Sequence, residues 1–334
     1  METLTAIVAG GAGFIGSHLC RSLLDQGKNV IAVDDLSTGS LDNLSAIAQS
    51  PHFEFIRHDI TEPLELPTKV HEIYNLACPA SPLHYQAQPV RTLLTSVLGS
   101  YRLLELARHK RARILLASTS EVYGDPLVTP QPEEYRGNVS PTGIRSCYDE
   151  GKRGAESLFC DYSRQYGTDT RIVRIFNTYG PHMGSGDGRV IPNFITQAIT
   201  GTPLTVNGDG NQTRSFMYID DLIKGILCMM ETHLNAIPVN LGNPDEITIN
   251  QLAHTIMRLT GSRSEIVYTP LPQDDPRRRC PDITRATSLL HGWTPCVPLE
   301  EGLYRTINYF KKSIQNHYAH QSVIAGSVSD HAGV

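Results

Sequence analysis

Two rhythms of apolar and polar positions alternate along roughly the first 180 residues of the chain. Short apolar runs at 5–9, 29–33, 53–57, 72–77, 114–117 and 170–176 read as strands, whereas 17–26 and 90–109 repeat their apolar residues at helical spacing. The run Ile114-Leu115-Leu116-Ala117 has no polar face, which suits a parallel strand covered on both sides. Strand and helix taking turns predicts an α/β protein with a Rossmann-like, doubly wound parallel sheet. Beyond 180 the elements shorten, and a smaller α/β substrate-binding region is expected on the C-terminal side. There, residues 201–210 and 212–216 should frame a small strand pair, with helices at 220–231, 248–260 and 299–312. The expected organisation is one domain over 1–180 and a second region over 181–314. The stretch 315–334 is small, polar and patternless, and disorder is expected there.

The first strand runs straight into Gly10-Gly11-Ala12-Gly13-Phe14-Ile15-Gly16 and then into the first helix. Glycines at 10, 13 and 16 allow a tight turn, a close backbone approach to a pyrophosphate, and close packing of helix on strand. The helix amino terminus then offers unpaired N–H groups to the phosphates. A glycine triplet alone is only a loop; between a strand and a helix it reads as a dinucleotide cradle. The second strand ends at Asp34-Asp35, where a carboxylate accepts the adenosine ribose hydroxyls and repels a 2′-phosphate, so NAD is expected rather than NADP. Asp34 is the first choice, with Asp35 either a second contact or a turn carboxylate. Asp59, closing the third strand, reads equally as a contact to the adenine amino group or as a solvated turn residue.

Composition narrows the partners. With 29 Lys and Arg against 34 Asp and Glu the net charge is -5, which argues against nucleic acid and requires local arginines for any anionic ligand. No apolar stretch approaches the ~18 residues of a membrane span, so no membrane association is expected. The amino terminus enters a strand within a few residues, and no cleavable leader is expected. Seven cysteines, odd in number and without a C-x-x-C pair, read as reduced thiols in a cytoplasmic protein. Thirteen histidines without ligand spacing give no reason to expect a metal.

The chemistry concentrates in a few short stretches. Tyr148 and Lys152 are four residues apart and share a face on a helix, where the ammonium can favour the phenolate. A free tyrosine titrates near ~10, so making it a base near neutrality takes roughly 4 kcal/mol of cationic help, from Lys152 and a positively charged nicotinamide ring. The same spacing also occurs by chance on solvated helices. Ser118-Thr119-Ser120-Glu121 stands at the end of the fifth strand, the edge outside which open α/β sheets gather ligands, or else is a plain polar exit. Arg277-Arg278-Arg279 reads either as a solvated face or as the arginines that a phosphate-bearing substrate needs.

Taken together, Gly10-x-x-Gly13-x-x-Gly16, Asp34, the hydroxyls at 118–120 and Tyr148-x-x-x-Lys152 resemble the extended short-chain dehydrogenase/reductase family over roughly residues 5–312. Within it, the stretches 118–126, 147–153, 174–181 and 273–276, and the loop Pro79-Ala80-Ser81-Pro82 with Tyr85, are similar to the branch that decarboxylates nucleotide-linked uronic acids. The resemblance implies NAD, a UDP-sugar substrate, and formation of UDP-xylose from UDP-glucuronate through a 4-keto intermediate. It implies catalytic roles for Tyr148, Lys152, Thr119, Ser120, Glu121 and Arg279. Cofactor contacts carried with it are Gly10, Gly13, Phe14, Ile15, Gly16, Asp34, Asp35, Asp59, Ile60, Leu76, Ala77, Tyr148 and Lys152. Substrate contacts are Pro79, Ser81, Tyr85, Asn177, Val190, Thr205, Val206, Arg214, Arg278 and Arg279.

Neighbouring branches differ at single positions. Ser120 stands where sugar-nucleotide 4,6-dehydratases have the aspartate that expels water. UDP-galactose 4-epimerases lack the glutamate at 121 and carry a tyrosine where Arg279 falls. Epimerisation, release of the 4-keto pentose with NADH, and a non-catalytic NAD-binding protein are the competing readings; Tyr148, Lys152 and Thr119 together argue against the last. Ser96 replaces an asparagine of the decarboxylating branch, and the triple arginine leaves the register open by one residue, Arg279 being chosen by its distance from Pro281-Asp282. A homodimer through the 90–109 helix and the Tyr148 helix is implied as well, although a monomeric core would give both helices apolar faces too.

Overall fold

All six expected strands form: β1 (Thr5–Ala9), β2 (Asn29–Asp34), β3 (Phe53–Arg57), β4 (Glu72–Asn75), β5 (Arg113–Thr119) and β6 (Thr170–Ile175). The computed structural model describes residues 3–271 and 278–329. These strands pair in parallel in the order 6-5-4-1-2-3, and a seventh, Pro238–Leu241, adds in parallel at the β6 edge. This is the doubly wound α/β arrangement that the rhythm predicts. The strand order reverses between β1 and β4, which opens a crevice at their carboxyl ends.

Period-two alternation divides each strand between two cores. Ala6, Val8, Val30, Ala32 and Val173 enter one with Leu19 and Leu23 of α1 (Phe14–Asp25). Ile7, Ala9, Ile31, Val33, Ile114 and Ile172 enter the other. Helices follow β4 and β5, and the last two of them close that second core. In chain order the helices are α2 (Pro82–Ala87), α3 (Pro89–Leu94), a π-helical turn (Thr95–Gly99), α4 (Ser100–Lys110) and α5 (Ser146–Tyr166), with Leu103, Leu104 and Phe159 buried in that core.

The seventh strand was not expected, and its composition explains why. Proline occupies its first position, which strands tolerate, and asparagine its third. Asn240 is fully buried and fully used: its Nδ2 donates to the Gln131 and Asp282 carbonyls (2.9 and 3.0 Å), and its N–H to Glu133 Oε1 (2.9 Å). Its Oδ1 accepts from the Tyr123 hydroxyl at 2.8 Å. One buried amide thus ties two distant loops to the sheet edge.

Three expectations change. Leu204–Asn207 does not pair with Thr213–Ser215; it pairs with Ile266–Thr269, while Thr213–Ser215 lies between Glu246–Thr248 and Arg278–Arg279. Gly208 and Gly210, both at positive φ, turn the chain between them, and each strand finds its partner downstream. Residue 180 is not a break in packing, because helix Ile219–Glu231 rests on α1 and β6 and Pro238–Leu241 completes the large sheet. Helix Leu299–Ser329 continues through much of the stretch expected to be disordered, which contains no proline to stop its backbone ladder. No helix among the described residues is long and apolar enough to cross a membrane.

Replacing Asn240 by alanine leaves the Tyr123 hydroxyl proton and the Asp282 carbonyl without their partner and takes one of two bonds from the Gln131 carbonyl. Urea unfolding of Asn240→Ala is expected to show a loss of about 2–3 kcal/mol, and a loss under about 0.5 kcal/mol would show that these bonds do not hold the loops.

Candidate functional site

The carboxyl ends of the strands open into a cavity of about 1020 Å³ that extends from the glycine turn after β1 to the short strands of the C-terminal region. Gly10, at φ +80°, lies against the Leu76 and Ala77 backbone, which a Cβ would meet at 2.9 Å. A Cβ on Gly16 would stand 2.0 Å from the Gly10 carbonyl oxygen. Gly13, Phe14 and Ile15 form part of the wall, so the first turn of α1 borders the cavity, as do Ile60, Leu76 and Ala77. Asp34 Oδ2 accepts the Ala12 N–H (3.0 Å) and Oδ1 the Leu36 N–H (2.8 Å), leaving lone pairs on each oxygen. Burial pushes its carboxyl up, and these two bonds oppose that.

Asp35 and Asp59 also border the cavity, but both face Arg91 of α3, at 2.5 and 3.5 Å. Asp59 additionally accepts the Thr61 N–H (3.0 Å) and hydroxyl (2.9 Å), so it is a turn carboxylate at the cavity edge. Arg91 carries no signal in the sequence beyond its place on a helix. A glycine cradle closed to side chains, a helix amino terminus and a carboxylate at the end of the second strand fit a dinucleotide.

β5 delivers Thr119, and the turn Ser120–Tyr123 follows, with Thr119 Oγ1 accepting the Glu121 N–H at 3.2 Å. α5 presents Tyr148 and Lys152 to the same cavity. Lys152 Nζ donates to the Ala117 carbonyl at 2.8 Å, pinning α5 to β5, and lies 6.0 Å from the centre of the Tyr148 ring. Burial pushes Tyr148 well above its ordinary range, against a hydrogen bond from Thr119, and burial lowers Lys152. The expected phenolate therefore does not follow from Lys152 alone, because desolvation disfavours the charged form of both groups. Tyr85, expected at the substrate, is 1% exposed and does not border the cavity. Its ring stacks on Tyr148, with centroids 5.0 Å apart and planes within 5°.

Glu121 is the electrostatic centre. Arg279 grips both its oxygens (2.7 and 2.8 Å) and Arg145 adds a contact at 2.7 Å. Burial raises its carboxyl, but the two guanidiniums outweigh burial and hold it below the usual range. Arg145 was not anticipated; it stands just before α5 and owes its place to tertiary approach alone.

Strand alternation settles the arginine register. Arg278 turns outward to Glu246 at 2.5 Å and leaves the substrate set, whereas Arg279 is buried and borders the cavity. Arg277 and 273–276 lie outside the described residues. The same alternation removes Val206, which is buried in the core, and places Thr205 and Asn207 at the wall. Arg214, whose Nη1 donates to the Thr213 carbonyl (2.8 Å), and Asn177, bonded to the Ser215 carbonyl (3.3 Å), both border the cavity. Pro79, Ser81, Ser120 and Val190 do so too. Ser96 lies in the π-helical turn 3.2 Å from Cys78 Sγ, and a Cβ on Gly151 would come within 3.0 Å of its own. Two small residues thus make that helix contact. Among the described residues no group of three His, Cys, Asp or Glu side chains could hold a metal ion.

Residues 6–242 match the NAD dependent epimerase/dehydratase family. UDP-glucuronic acid decarboxylase 5 of Arabidopsis thaliana is 54% identical over 303 residues, covering 90% of this chain and 88% of that protein. UDP-glucuronic acid decarboxylase 1 of Xenopus tropicalis is 50% identical over 317 residues, covering 95% and 74%. Among solved structures, UDP-glucuronic acid 4-epimerase from Bacillus cereus in complex with UDP-glucuronic acid and NAD superposes with a TM-score of 0.81 at 28% identity, covering 92% of this chain and 99% of that one.

Because its Cβ would collide with backbone, Gly16→Ala is expected to weaken NAD binding by at least about tenfold, at a cost of roughly 1–3 kcal/mol in stability. Calorimetry with NAD checks this, and unchanged affinity would remove the glycine turn from the cofactor site.

Proposed function

The chain belongs to the NAD dependent epimerase/dehydratase family, and from that premise we propose that it converts UDP-glucuronate to UDP-xylose and carbon dioxide with its cofactor regenerated in the site. The observation that carries this reading is Glu121, clamped by Arg145 and Arg279 beside Thr119 and Tyr148. The decarboxylases that share half of its residues support it.

NAD, which the glycine turn, the amino terminus of α1 and Asp34 would hold, would supply a reversible hydride acceptor for C4 of the sugar. Tyr148 accepts the proton of the C4 hydroxyl and Thr119 holds the same oxygen; Lys152 fixes the phenol by anchoring α5 on the Ala117 carbonyl. A ketone at C4 is β to the C6 carboxylate. The C5–C6 bond then breaks with its electrons passing into the carbonyl as an enolate, and C5 takes up a proton. Glu121 crowds the carboxylate with like charge, and Arg279 orients it and lies on the proton's route to C5 through water. Tyr148 finally returns its proton to the C4 oxygen. Arg214 and Asn177 take the pyrophosphate, Thr205 and Val190 the rest of the nucleotide. Residues 1–180 supply mainly the dinucleotide side and 181–314 mainly the nucleotide-sugar side.

Two further assignments complete the reading. The outer face of α3 and α4 exposes Val90, Leu94 and Tyr101 (71, 47 and 39%), an apolar strip that a second copy would cover in a homodimer. Seven unbridged thiols suit a cytoplasmic enzyme.

Purified protein given UDP-glucuronate should yield a product lighter by carbon dioxide, read by mass spectrometry, with no net rise in NADH absorbance. A product retaining six carbons would identify an epimerase and overturn the proposal. Tyr148→Phe should lower kcat by about 10²–10⁴ while NAD affinity stays within about threefold. In a paired comparison, Arg279→Ala should collapse kcat and Arg278→Ala should leave kcat and KM near those of the parent, since Arg278 meets only a surface pair of roughly 0–1 kcal/mol; equal effects would contradict the register.

A further inference from the structure

One buried carboxylate takes no part in the chemistry above. Asp149 follows Tyr148 in the first turn of α5, is 6% exposed, and has no hydrogen-bond partner for its Oδ1. A carboxylate withdrawn from water and short of donors is costly as an anion. The charged and titratable groups that act on it come from four places in the fold. Arg145, Glu150, Cys147 and Tyr148 belong to the start of α5; Glu121 follows β5; Arg279 lies on its short strand; Tyr85 lies on α2. Glu121, Arg145 and Arg279 border the cavity, while Asp149 stands behind its wall.

Counting charges separates two states. With Glu121 ionised and Asp149 protonated, two guanidiniums face one carboxylate and the cluster carries a net +1; with Asp149 ionised, two face two and the net is 0. We infer that Asp149 is a proton-gated positioning residue: protonated, it leaves the Arg145–Glu121–Arg279 cluster receptive to the uronate carboxylate, and ionised, it neutralises the cluster and weakens that binding. The inference rests on the decarboxylase reading for the identity of the anion. Burial first, and then the Glu121 charge, push the Asp149 carboxyl up to about 7, with Arg145 and Arg279 opposing. Rising pH through that value removes the proton and weakens uronate binding, and reciprocally the bound uronate draws a proton onto Asp149. UDP-xylose carries no carboxylate, so the gate ignores it and favours substrate over product on the acid side.

The test is calorimetric titration of NAD-loaded protein with the 4-deoxy-4-fluoro analogue of UDP-glucuronate, which has no C4 hydroxyl to oxidise. Titrations run near pH 6 and pH 8 in buffers of different ionisation heat, with UDP-xylose as control. The parent protein should bind the analogue about tenfold more weakly at the higher pH, with proton uptake there, and bind UDP-xylose equally within about twofold. Asp149→Asn should bind the analogue at both pH values with neither effect. The same pH dependence in Asp149→Asn, or no proton uptake by the parent, would overturn the inference, and the parent measurement decides the matter if the variant does not fold. Turnover of UDP-glucuronate in the same preparation separates the two claims. Turnover with pH-independent binding ends only this inference, whereas no loss of carbon dioxide ends the decarboxylase reading on which it stands.

Discussion

An ionised carboxylate drawn largely out of water is stable only where cations are brought to it, and in this protein that demand falls on Glu121. Its two partners arrive from different directions, Arg145 from the start of α5 and Arg279 from a strand far along the chain. Arg279 reaches it because Arg278–Arg279 pairs with Thr213–Ser215, and because Asn240 ties the Gln131 and Asp282 loops to the sheet edge. Pairing this charge and closing the C-terminal region over the sheet are one event. Breaking such a pair in a buried setting costs about 3–5 kcal/mol, so the wall of the cavity and the fold share a single fastening.

The dryness that makes this cluster strong works against the neighbouring base. Tyr148 and Lys152 are both withdrawn from water, and each is pushed toward its neutral form. The Ala117 carbonyl and the Thr119 hydroxyl fix where these groups sit without making the phenol acidic. In such a medium a cationic group brought alongside acts more strongly than it would in water. A tyrosine held in place but protonated is therefore one whose proton transfer depends on what else occupies the cavity.

Which of these features the sequence discloses depends on how far apart the interacting groups lie along the chain. Gly10, Gly13 and Gly16, and Tyr148 with Lys152, are legible because a turn or a helix converts a fixed spacing into a fixed geometry. The six strands are legible because each carries a short run of apolar residues. The strand at 238–241 is not, since its proline and asparagine mimic a loop and only Gln131, Glu133 and Asp282 show why an amide is buried there. Arg145 and Arg91 are long, ordinary cations until tertiary approach gives them carboxylates. Thr205 against Val206, and Arg279 against Arg278, turn on strand phase, which a strand of two to four residues does not announce. Tyr85 is the subtler case: the resemblance implies a place at the substrate, whereas its ring packs one layer behind, against the Tyr148 ring.

The groups around the cavity also decide what a C4 ketone does once formed. Expelling the 6-oxygen as water needs an acid beside it, and Ser120 at the cavity wall is an alcohol where a carboxylic acid would be required. Glu121 cannot substitute, because two guanidiniums hold it ionised and both its oxygens are engaged. Neither residue can supply a proton to a leaving hydroxyl. The arginines, in contrast, can hold a carboxylate against the like charge of Glu121 until its bond to C5 weakens. Under the proposed function, departure as neutral carbon dioxide relieves that repulsion and spreads the electrons into the ketone, so the electrostatics that stabilise the buried cluster would also select the bond that breaks.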